Sequence, residues 1–166
     1  MNSTFLNRRN VMGKLASALS AVGLASVATG TAFAKKQDAS VQKLGRDGKS
    51  ADGTQFITPL VIHNGLIYIA GQGANSNGNV GKDDIDSHVT KVMENVKELV
   101  EVGGGSMDSI LQLTVFLADL KYYDPMNKIF KTYFPHGGPA RTTIAVAGVP
   151  GNSLIEINCI AAVTKK

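Results

Sequence analysis

The sequence predicts an α+β domain in the order β-β-α-β-α-β-β, with two helices on one face of a mixed sheet. Three observations carry this. Short β-branched and aromatic runs recur between turn residues. A long amphipathic stripe opens at Asp84, with Ile85, Val89, Val92, Met93, Val96, Leu99 and Val100 at helical spacing. A second, shorter helical stripe (Met126, Ile129, Phe130, Tyr133, Phe134) lies between two apolar strands.

The first 34 residues are set apart from this domain. Arg8-Arg9 and Lys14 precede an uncharged Ala/Gly/Ser-rich run from Leu15 to Phe33, and Ala32-Phe33-Ala34 offers small residues where a signal peptidase reads. Residues 1–34 are therefore expected to be an export signal cleaved after Ala34, directing the protein to the periplasm. The arginine pair points to the twin-arginine route, with Sec export as the rival. The run is too weakly hydrophobic for a stable membrane anchor. Of 17 Lys+Arg, three lie in this segment and none of the 13 Asp+Glu does, which leaves 14 against 13. So near-neutral a domain gives no charge argument for nucleic acid. Its one cysteine, Cys159, lies in an apolar run and reads as a buried thiol.

Residues 35–54 are polar and aperiodic and are expected to form a flexible lead-in to a domain spanning 55–166. Phe56–Ile62 and Leu66–Ala70 flank His63-Asn64-Gly65, and Asn-Gly is a strong hairpin signal. Pro59 confines part of the first run to an edge or a bulge. The long helix stops at Gly103-Gly104-Gly105, and Ser109–Leu117 forms the third strand. Asp124 is expected to cap the second helix, with Pro125 at its first position. Arg141–Ala147 and Leu154–Val163 complete the sheet, Thr142–Ala147 reading as largely buried.

Arg141 follows Pro139, which cannot extend a sheet ladder, and so stands at the mouth of an apolar strand. A guanidinium there is poised to grip a planar carboxylate through two parallel hydrogen bonds. His63, His88 and His136 are dispersed, so no metal site is read. The sequence has no nucleophile elbow, phosphate loop or dinucleotide fingerprint.

Ala70-Gly71-Gln72, Asn95-Val96, Ser109–Asp119, Asn127–Phe134, Pro139-Ala140-Arg141 and Ile155-Glu156-Ile157 occur in an order and spacing that resemble the RidA/YjgF family of reactive-intermediate imine deaminases. The resemblance covers about Phe56 to Val163. It implies a chorismate-mutase-like fold, a homotrimer with sites in the clefts between subunits, and hydrolysis of 2-imino acids such as 2-iminobutanoate and 2-iminopropanoate to 2-keto acids and ammonia. No cofactor is implied. Arg141 would hold the substrate carboxylate, helped by the backbone N–H of Thr143. Gly71 would allow close approach of backbone to ligand, Phe56 and Ile57 would fall where the family supplies a tyrosine, and Asn127 would lie near the subunit interface.

Departures from the family pattern bear on catalysis. Asn158 is read at the position of the family's water-handling glutamate, where an amide orients water but accepts no proton. Ala70 replaces a serine, and His88 stands where glutamine is usual and reads as a solvated helix-face residue. Glu156 reads as a structural or rim carboxylate. The alternative function is a non-catalytic trimer that binds a small carboxylate metabolite. Some relatives have been described as ribonucleases, but no acid–base pair for RNA cleavage is evident here.

Overall fold

The computed structural model describes residues 40–74 and 84–164. The expected signal segment, residues 1–34, lies outside them. The elements are β1 (Gln42–Leu44), β2 (Leu60–His63), β3 (Leu66–Gly73), α1 (Ile85–Val102), β4 (Ile110–Leu117), α2 (Tyr123–Tyr133), β5 (Ala140–Ala145) and β6 (Ile155–Ala162). They form one six-stranded sheet in the order β1-β2-β3-β6-β4-β5. Every pair is antiparallel except β4 and β5, whose parallel pairing needs the crossover that α2 supplies.

The mixed sheet with two helices is the expected one, and the boundaries differ for identifiable reasons. Asn64 and Gly65 take φ of 51° and 76°, the left-handed pair of a two-residue hairpin turn, and His63 pairs with Leu66. The first run starts as a strand only after Pro59, at Leu60, which leaves Phe56 and Ile57 in a loop. The expected flexible lead-in contains β1, which pairs with β2 and adds a strand to the predicted order. Arg46, just beyond β1, ties it to the domain: it donates to the buried Gln72 Oε1 and pairs with Glu98 at 3.2 Å.

Asp124 does not cap the second helix. Asp119 instead accepts from Lys121 N–H and opens a 3-10 turn that runs into α2, which leaves Asp124 in the helix's first turn. The core lies between the helices and one sheet face. Val89, Val92, Met93, Val96 and Leu99 of α1 and Met126 of α2 are buried with Ile67, Leu113, Val115, Leu117, Ile155 and Ile157 of the sheet. Among the described residues, no helix covers the other sheet face. Burial alternates strictly along β6, so Glu156, Asn158 and Ile160 turn to that open face. The expected burial of Thr142–Ala147 is not found in the single chain, because β5 is an edge strand.

Candidate functional site

The residues expected to act together fall into two groups. Arg141, the second residue of β5, turns toward α2, where its guanidinium lies 4.6 Å from the Phe130 ring centroid and 5.8 Å from that of Tyr123. One Nη1 also approaches Met126 Sδ at 3.9 Å. These neighbours are apolar or aromatic, and none is a carboxylate. The aromatic faces steady the guanidinium and leave its forked donors unneutralised. A groove of about 690 Å³ opens here, lined by Arg141, Asn127, Asp124, Lys128 and Lys131. Three cations and one carboxylate give it a positive field suited to an acidic ligand. Two residues along β5, Thr143 buries its hydroxyl oxygen without a hydrogen-bond partner.

The second group is built around a β-bulge. Ile69 pairs with Cys159 and Gln72 with Ile157, so β3 fits one extra residue between those pairs. Ala70 and Gly71 therefore both turn outward, while Gln72 turns in and is buried. Gln72 folds its amide back to donate to Ala70 O and Gly71 O at 2.7 and 3.1 Å. Asn95 Nδ2 donates to Gly73 O at 3.2 Å and fixes the strand end against α1. The bulge sets Gly71 directly against Glu156: a Cβ on Gly71 would overlap the Glu156 carboxylate. Glu156 lines a pocket of about 140 Å³ with Phe116, Val146, Gly148, Val149 and Pro150. Glu156 is thus a half-buried carboxylate lining a pocket beside Gly71.

Asn158 lies elsewhere. It lines a separate cavity of about 290 Å³ on the open sheet face, with Tyr68, Gln112 and Thr114. Phe56 and Ile57 are 100% and 64% exposed in the loop before β2, whose Pro59 O accepts from Ala70 N–H at 3.0 Å. They belong on the Gly71 side of the molecule. Three strands separate β2 from β5, a span of about 19 Å. Arg141 and Glu156 also turn to opposite faces of the sheet. Within one chain the Arg141–Asn127–Thr143 group and the Gly71–Glu156 group thus lie apart.

Two residues stand differently from their sequence reading: Glu156, weighed there as a structural or rim carboxylate, lines the pocket beside Gly71. His88 is fully buried rather than solvated, and its Nδ1 accepts from Leu154 N–H at 3.0 Å. Cys159 is buried as expected, and burial pushes its thiol up to about 12. Among the described residues no cluster of three His, Cys, Asp or Glu could hold a metal, and no helix is long and apolar enough to cross a membrane.

The comparisons accord with this architecture. Residues 53–163 match the protein family described as Endoribonuclease L-PSP. Protein mmf2, mitochondrial, of Schizosaccharomyces pombe is 37% identical over 101 residues, which is 59% of this chain and 80% of that protein. Reactive Intermediate Deaminase A, chloroplastic, of Arabidopsis thaliana is 33% identical over 100 residues, 59% of this chain and 54% of that protein. Among solved structures, E. coli TdcF with bound serine superposes with a TM-score of 0.63 at 25% identity, covering 74% of this chain and 98% of that one. The chain belongs to this family, the RidA/YjgF family of the sequence resemblance.

Proposed function

We propose that the protein is a cofactor-independent imine deaminase that hydrolyses small 2-imino acids to 2-keto acids and ammonia in sites shared between copies of the chain. The observation that carries this is the separation of two groups within one chain: an arginine stacked on aromatic rings with no carboxylate partner among the described residues, and a glutamate in a pocket on the opposite sheet face. In a homotrimer the Arg141 half of one subunit would face the Gly71–Glu156 half of the next. Arg141 then grips the substrate carboxylate bidentately, with Thr143 as a second donor and Asn127 beside it. Phe56 and Ile57 supply an apolar cover from the other subunit.

Hydrolysis of a protonated imine needs positioning and a single proton acceptor. Water adds to the iminium carbon as its proton passes to Glu156, giving a carbinolamine. The proton then returns to the nitrogen; the hydroxyl proton passes to Glu156 as the C–N bond breaks, ammonia leaves and the C=O bond forms, and ammonia takes up that proton as ammonium. Glu156 fits this role better than Asn158, because a carboxylate accepts a proton and an amide does not. We assign the reaction to the exported protein, with residues 1–34 as its signal; cell fractionation tests that location. The activity test is ammonia release from 2-iminobutanoate generated in situ by an amino-acid oxidase, with Arg141→Ala as control. Arg141-dependent release supports the reading. Arg141-dependent 2-keto acid binding without release makes the chain a carboxylate-binding protein.

A further inference from the structure

The loop that walls the Glu156 pocket is tied at both ends. At its start Val146 N–H donates to Leu117 O at 2.9 Å. At its end Ser153 Oγ accepts from Ala74 N–H at 2.9 Å and donates to Ile155 O at 2.6 Å, while Leu154 O accepts from Ala118 N–H at 3.0 Å. Leu154 N–H in turn donates to His88 Nδ1 at 3.0 Å. Between the two ends Pro150–Asn152 forms one 3-10 turn in which Gly151 and Asn152 take left-handed φ of 67° and 55°. Glycine and asparagine are the residues that enter this region most readily, so the turn itself is locally favoured and the bonds at its two ends set where it sits.

His88 stands in the first turn of α1 and is fully buried, as a polar ring is when its hydrogen bonds are made inside the fold. To accept at Nδ1 the neutral ring carries its proton on Nε2. We propose that His88 is a positioning residue for the Glu156 pocket. By holding the backbone of Leu154, the residue before β6, it fixes where that strand begins, and so where Glu156, two residues on, projects against Gly71. Its consequence for turnover rests on the imine-hydrolysis reading; its consequence for the loop does not.

The test compares His88→Gln, which keeps an acceptor, with His88→Leu, which removes it, and with Val92→Ala, a cavity elsewhere on α1. The readouts are hydrogen exchange across residues 148–156, and kcat and KM for 2-iminobutanoate. His88→Leu is expected to speed exchange there by about tenfold and to lower kcat by about tenfold or more with KM little changed. His88→Gln should restore both to within about threefold, whereas Val92→Ala should lower Tm alone. Equal effects of His88→Leu and Val92→Ala, or a folded His88→Gln that restores neither readout, overturn the proposal. If His88→Leu does not fold, His88→Asn, which keeps an amide but shortens its reach, takes its place with the same expectations. A wild-type protein without hydrolysis refutes the function, and the exchange comparison still decides the role of His88.

Discussion

Gly71 and Glu156 touch only because position 71 has no side chain: a Cβ there would lie 2.8 Å from the Glu156 carboxyl carbon and closer still to one of its oxygens. The β-bulge between Ile69 and Gln72 turns Gly71 outward, and the strict alternation of β6 turns Glu156 to the same side. Gly71→Ala is therefore expected to leave the fold intact while displacing the carboxylate. Imine hydrolysis should fall by about tenfold to a hundredfold, because catalysis is sensitive to misplacement on the ångström scale. Steady-state kinetics beside a thermal melt checks this.

Arg141→Lys keeps the positive charge of the groove and loses the planar fork. Affinity for a 2-keto acid should weaken by about 1.5–3 kcal/mol, near the full effect of Arg141→Ala, since the two parallel bonds and not the charge alone hold the carboxylate. Calorimetric titration of both variants measures the difference.

The lead-in strand contributes through Arg46. Arg46→Ala removes the donor to the buried Gln72 oxygen and the pairing with Glu98. The expected loss is about 1–2 kcal/mol, read as a shift of the denaturant midpoint without a change of slope.

Cys159 gives a prediction with a definite sign. The unfolded chain releases the thiol proton near 9.0, and the folded chain holds it to about 12. The unfolded state therefore binds fewer protons between these values, so stability is full below pH 9 and declines as pH rises toward 12, by at most about 1.4 kcal/mol per unit. Cys159→Ala should flatten that decline. In the folded protein at pH 8 the thiol should resist a disulfide reagent that labels it at once after unfolding.

Much of the fold was legible because periodicity reports burial directly. The α1 stripe and the Asn64-Gly65 hairpin were both readable from spacing alone. β1 was not, since three residues, two of them exposed, are too few to show an alternation, and only pairing with β2 makes them a strand. Arg141 was legible as a candidate carboxylate ligand only when the family resemblance was added to its place after Pro139. Glu156 was not, because strand alternation says which residues share a face but not which of them a bulge on the neighbouring strand will meet. His88 was misread for a related reason: a histidine adjoining the apolar stripe looks solvated until the backbone N–H it accepts from is in place.

The proposed sharing of one site between subunits is tested most directly by mixing two variants, Arg141→Ala and Glu156→Gln, each expected to be inactive by itself. Co-refolded in equal amounts, they should regain about a quarter of wild-type imine hydrolysis, because in a cyclic assembly one site in four combines an intact Arg141 from one subunit with an intact Glu156 from the next. Recovery near that level is the predicted result. A mixture as inactive as its parents, in a confirmed mixed oligomer, would contradict the account.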